Sequence, residues 1–173
     1  MLEDVSPSFF TPEHVHVMSN HFPVTLSLLV PPILLAGIFF RRGSILAIGF
    51  SLGLLADLAT PVVMQSGESA HTRFEMSEIK PPLDEEGDIA AEMHADMAEK
   101  ASKLLYLMGW VCIVGLVFLK FRPAWQNGAA WVVILIACGA AFFSIQAALL
   151  GGRIRHPEFR IPNNPSPEHS RND

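Results

Sequence analysis

"AAWVVILIACGAAFFSIQAALL", residues 129–150, runs for 22 positions without a charged side chain. At 1.5 Å per residue a helix of this length is about 33 Å long, against a bilayer hydrocarbon core of about 30 Å. A helix apolar on every side has no wet face to turn outward from a soluble domain, so the stretch reads as a membrane span. Three stretches upstream repeat it. Residues 22–40 carry no charge, residues 43–65 carry only Asp57, and residues 104–119 carry none. Ala101-Ser102 extend the third stretch backward, giving a span of about 102–119. Half of the 173 residues are apolar and 17% are charged, below the roughly 25% of a typical globular domain. The fold class that follows is all-α: an integral membrane four-helix bundle made of two transmembrane hairpins.

Working outward from the spans, "RRG" (41–43) joins the first two and "KFRPAWQNG" (120–128) joins the last two. Between the hairpins lies an external loop, 66–101, acidic and partly helical. Its middle, "KPPLDEEGD" (80–88), is a turn-rich spacer, because Pro81-Pro82 stops a helix and Gly87 permits a bend. From Asp88, taken as the N-cap, an Ala-, Glu- and Met-rich helix runs from water into the third span. Pro31-Pro32 and Pro61 are expected to kink the first and second spans. The chain divides into an external N-terminal segment (1–21), a membrane domain (22–150) and a tail (151–173), disordered after about 160 for its prolines.

Four spans put both termini and the long loop on one side. The N-terminal segment has no Lys or Arg, whereas the short loops hold Arg41, Arg42, Lys120 and Arg122. The short loops are therefore placed inside and the termini outside. The start "MLEDVSPSFFTPEH" has no basic region ahead of the first apolar run, so the first helix is expected to remain as an anchor. The lipid bilayer is the first partner. A net charge of −5 with no basic stripe argues against nucleic acid. Cys112 and Cys138 lie inside spans without a C-x-x-C, and read as small apolar side chains.

The chemistry-bearing residues gather at the outer membrane edge. His14, His16, His21, His71, His94, His156 and His169 all fall on the face with the termini. His21 stands at the mouth of the first span, His94 on the helix entering the third, and His156 just past the fourth. Three distant segments are thereby aimed at one interface. "HVHVM" (14–18) sets His14, His16 and Met18 on one face if extended, and "MHADM" (93–97) sets His94 and Met97 one helical turn apart. Imidazole with thioether sulfur suits copper; methionines covering apolar surface weigh against that reading. Asp57, a carboxylate inside a span, is either a functional group or a packed polar one, with Gln146 as a candidate hydrogen-bond partner. "GGRIRH" (151–156) closes the fourth helix, and Arg153 and Arg155 suit lipid phosphates or the carboxylates of a cofactor. No nucleophile–base pairing, phosphate loop or metalloprotease motif is present, which ranks an enzyme last.

The order of His16, His21-Phe22-Pro23, Gly67-Glu68 with Ala70, His94, and Gly151-Gly152 with Ile154 and His156 resembles the bacterial membrane family called domain of unknown function 2231. The resemblance covers about residues 14–156, and the His-Phe-Pro start is its most specific element. It implies a multi-pass protein of the bacterial inner membrane with helix-end histidines that hold b-type haem or serve another redox role. The chain departs from the family pattern at Val17, where proline is usual, and at Ala95, where glutamate is usual. No span contains a histidine, and His94 precedes the third span by about 12 Å of helix, so a haem here belongs at the interface. The preferred ligand pair is His21 with His94, both on rigid elements. His16 and His156 are supporting groups or alternative ligands, Arg153 and Arg155 would neutralise propionates, and Asp57 would bear on cofactor retention. Copper is the second cofactor, with His21, His94, His14, His16, Met18 and Met97 as its donors. For haem, His14, His71 and His169 are solvent-exposed bystanders. The resulting expectation is a redox protein in electron transfer, in a membrane redox complex or a homo-oligomer. The competing expectation is a structural subunit with no cofactor.

Overall fold

The computed structural model describes residues 10–160. Within them a short helix, α1 (Pro12–Ser19), leads into α2 (His21–Phe39), α3 (Gly43–Glu75), α4 (Glu85–Phe121) and α5 (Gln126–Arg155). Turns of 3₁₀ helix at Pro123–Trp125 and Pro157–Phe159 precede and follow α5. Four helical stretches are long and apolar enough to cross a membrane, with mean hydropathy of 1.8–2.3 over their most apolar windows. Only 28–39% of each such window is buried inside the bundle. The rest is an outward surface of residues such as Leu35, Leu58, Trp110, Leu135 and Phe142, which only lipid covers without cost. The chain is a multi-pass membrane protein.

The four long helices pack in a ring. Hairpins α2–α3 and α4–α5 lie side by side, α3 against α4 and α2 against α5, with α3 and α5 across the diagonal. Between helices in lipid there is no hydrophobic drive, so close backbone approach and dispersion must hold them together. Glycines supply that approach. A Cβ at Gly49 would lie 2.5 Å from Leu34 Cδ2, and one at Gly115 2.5 Å from Phe50 Cε1. Both large side chains are fully buried. On α5 the inward stripe is nearly all small: Ala130, Ala137 and Ala140 are wholly buried beside Val133.

The structure changes the reading of the external segment. Helix α3 does not stop near Gln65 but continues ten residues to Glu75, running through Pro61. Helix α4 begins at Glu85, since Asp84 rather than Asp88 is the cap: its Oδ1 accepts from Gly87 N at 3.0 Å. Glu85, Glu86 and Asp88 then complement the positive helix end. Residues 66–101 are therefore mostly two helical extensions standing above the membrane, joined by a turn at residues 76–84. Two cationic clasps hold this outer layer. Arg73 Nη1 on α3 donates to both Glu13 carboxylate oxygens on α1, at 2.8 and 3.0 Å, and its Nε donates to Glu78. Arg160, after α5, donates to both carboxylate oxygens of Asp84 and, at 3.1 Å, to the Ile154 carbonyl. The tail beyond residue 160 and His169 lie outside the described residues.

Candidate histidine-pair site

Helix α1 begins at Thr11, an extended N-cap with Pro12 following and Glu13 in the first turn, the order expected of a helix start. Residues 14–18 are therefore helical rather than extended, which separates His14 from His16 by about 200°. His14 turns outward and hydrogen-bonds Thr11 Oγ1 at 2.9 Å. Val17 and Met18 are exposed. His16 turns inward to α3.

Its Nδ1 lies 3.0 Å from the carbonyl oxygen of Val63. His94, on α4, places its own Nδ1 2.7 Å from the carbonyl oxygen of Ala147 on α5. A carbonyl only accepts, so in both rings Nδ1 carries the hydrogen and donates it. Each Nε2 is then left with a free lone pair. The two rings meet edge to face, with centroids 5.9 Å apart and planes at 85°.

Each imidazole also needs room beside the helix it bonds, and a glycine one turn past the accepting carbonyl supplies it. A Cβ on Gly67 would come within 2.9 Å of Cε1 and Nδ1 of His16; one on Gly151 would lie 3.1 Å from His94 Nδ1 and 3.3 Å from its Cε1. The same device occurs once in each hairpin, at the end far from its short connection: carbonyl at residue 63 with glycine at 67, carbonyl at 147 with glycine at 151. Both glycines stand in the sequence as helix-end residues. Only the paired spacing, each four residues past an apolar helix position, marks them as seats for a ring.

The other candidate residues fall elsewhere. His21 is the first residue of α2 and is exposed; the neighbour of His94 is His16. His156 is exposed, holds Glu158 Oε1 at 2.9 Å through Nδ1, and its ring lies 5.1 Å from that of Phe159. His71 lies 3.4 Å from Glu75. Arg155 Nη1 donates to the Pro81 carbonyl at 2.6 Å, and its guanidinium sits 4.8 Å above the Phe74 ring. Arg153 is half-buried, and its carbonyl accepts from Arg160 Nε. Met97 is half-buried on α4. Asp57 is half-buried with its carboxyl packed over Gly109 of α4. Among the described residues it has no hydrogen bond to Gln146, which belongs to the diagonal helix.

Among the described residues no cluster of three or more His, Cys, Asp or Glu side chains is disposed to hold an ion. The donor set is two imidazoles. Zinc sites ask the protein for three or four ligands, whereas a haem brings four nitrogens of its own and takes axial ligands from the chain. Two imidazole donors, fixed from behind by backbone carbonyls, match that second requirement in number; because the rings stand in edge-to-face contact, a porphyrin between them requires them to separate. What the fold and site define is an integral membrane four-helix bundle with a preset histidine pair at one face. No family model, curated protein or solved structure matches the chain.

Proposed function

We propose that this protein binds b-type haem between His16 and His94 at the outer membrane interface and serves as a one-electron carrier there; the family resemblance implies only helix-end histidines in a haem or other redox role. The observation that carries the reading is the matched Nδ1–carbonyl bonding of the two rings, which presets both tautomers for coordination through Nε2. The haem would supply the reversible one-electron chemistry. The chain's own residues do the rest. Val63 and Ala147 fix ring orientation and raise ligand basicity, and Gly67 and Gly151 keep the rings seated. Glu13 and Arg73 hold α1, and with it His16, against α3. Arg153 and Arg155 follow Gly151 by two and four residues, and Arg155 would meet haem carboxylates by exchanging its bond to Pro81. Copper is the second occupant, with Met97 adding a thioether on the His94 helix. The short loops face the cytoplasm, and the histidine pair faces the periplasm or exterior.

The test is the absorption spectrum and metal content of detergent-purified protein, before and after haemin addition. Stoichiometric haem with a low-spin spectrum supports the reading. Protein that carries neither haem nor metal, and stays colourless with haemin, overturns it in favour of a structural membrane subunit.

A further inference from the structure

The face opposite the histidine pair carries a different chemistry. Residues 37–56 and 104–152 contain no Asp or Glu, while the two short connections hold Arg41, Arg42, Lys120 and Arg122. Among the described residues none of these four cations is paired with a carboxylate. On the other face Arg73, Arg160, Lys100 and Lys103 all have acidic partners. The anion for this end of the bundle must come from outside the chain.

Arg41 shows where. The end of α2 closes with Arg42 N donating to Gly37 O at 3.0 Å and Arg41 N to Ile38 O at 3.2 Å. This is the pattern that normally places glycine in the left-handed conformation. Here Arg41 takes it, at φ 53°. An arginine held where glycine is conformationally easier implies a use for its side chain.

That side chain borders a cavity of about 400 Å³ between the α2–α3 turn and the start of α5, lined by Gly37, Ile38, Arg41, Leu46, Gln126 and Asn127. Its lining combines a guanidinium-bearing and two carboxamide-bearing residues with the apolar Ile38 and Leu46. Phe39, Phe40, Phe121 and Trp125 are exposed at the same level, where aromatic residues mark the headgroup layer.

We propose that this cavity is a binding site for an anionic phospholipid. Arg41 takes the phosphate with the help of Gln126 and Asn127, the glycerol and first acyl carbons lie over Ile38 and Leu46, and Arg42, Lys120 and Arg122 hold further anionic headgroups around it. Basic pockets at helix ends on the cytoplasmic side are the usual seats of such lipids. The site is independent of the histidine pair.

The experiment is native mass spectrometry of the full chain in detergent, titrated with phosphatidylglycerol, phosphatidylcholine or inorganic phosphate. Both lipids offer Arg41 a phosphate, but the choline cation of phosphatidylcholine is repelled by Arg41, Arg42, Lys120 and Arg122, so wild type should retain phosphatidylglycerol about tenfold better. Arg41→Gly relaxes the backbone, so it should fold at least as well as wild type while losing that preference; Arg41→Gln should lose it too. Equal retention of the two lipids by wild type, or an undiminished preference in Arg41→Gly, overturns the proposal. Displacement of phosphatidylglycerol by millimolar inorganic phosphate also overturns it, by identifying a soluble-phosphate site.

Discussion

The imidazoles of His16 and His94 stand edge to face, 5.9 Å between centroids, each tied by Nδ1 to a carbonyl of a different hairpin. The pair joins four helices: α1 meets α3 through His16, and α4 meets α5 through His94. Its geometry therefore depends on helix positions rather than on loops, which is what a site of fixed ligand orientation requires.

If the glycines seat the rings, Gly67→Ala should displace His16 and weaken cofactor retention by about 10–100-fold, the usual effect of disturbing a ligand's support. Gly151→Ala meets His94 at a looser distance, 3.1 rather than 2.9 Å, and should weaken retention less. Haemin titration of the purified variants measures both. Equal and negligible effects would mean that the glycines serve helix packing alone.

The bundle should be least tolerant where glycine meets a large buried side chain. Gly115→Leu drives a side chain into Phe50, which is fully buried. Overpacking of this kind costs about 1–3 kcal/mol, read as a lower unfolding temperature in detergent. Gly128→Leu, with nothing within 4 Å of its Cβ position, should change that temperature little.

The tail clasp should depend on pH. The hydrogen bond from Arg160 holds the Asp84 carboxyl below its ordinary value of 3.8. A depressed carboxyl contributes stability that is present above the unfolded value and lost as pH falls through the folded one. Hydrogen-exchange protection factors across residues 84–88 and 156–160, corrected for the slower intrinsic exchange in acid, should therefore be high at neutral pH and fall below about pH 4. Asp84→Asn keeps a good helix cap but removes the charge, so it should exchange fast at neutral pH and match wild type in acid. An Asn variant as protected as wild type at pH 7 would deny the clasp its electrostatic part.

Topology supplies a further check. Reporters fused after Arg42 and at Gly87 should lie on opposite sides of the membrane, with Gly87 outside. Both on one side would contradict four crossings; opposite but inverted signals would contradict only the assigned orientation.

The spans were plain in the sequence because hydrocarbon penalises charge over a fixed thickness, and 22 charge-free residues at 129–150 leave little choice. The helix leading into the third span was legible to within three residues, but the extension of α3 was not: a helix already nucleated and packed inside the membrane carries through Pro61 and Gly67 to Glu75. Thr11-Pro12-Glu13 does signal a helix, yet one of eight residues is marginal by itself, and it stands here by docking on α3 through Arg73 and His16. That docking puts His16, and not the rigidly placed His21, beside His94. The gathering of His16 and His94 at one end of the bundle was legible, whereas their pairing depends on which face of α1 meets α3, and sequence spacing does not carry that.

If His16 and His94 are the two ligands of one haem iron, electron paramagnetic resonance of the ferric protein should give a low-spin signal of two axial imidazoles in wild type and in His21→Ala and His156→Ala. His16→Ala and His94→Ala should each give a high-spin signal or lose haem. A low-spin signal that survives His16→Ala but disappears in His21→Ala would contradict that ligand pair.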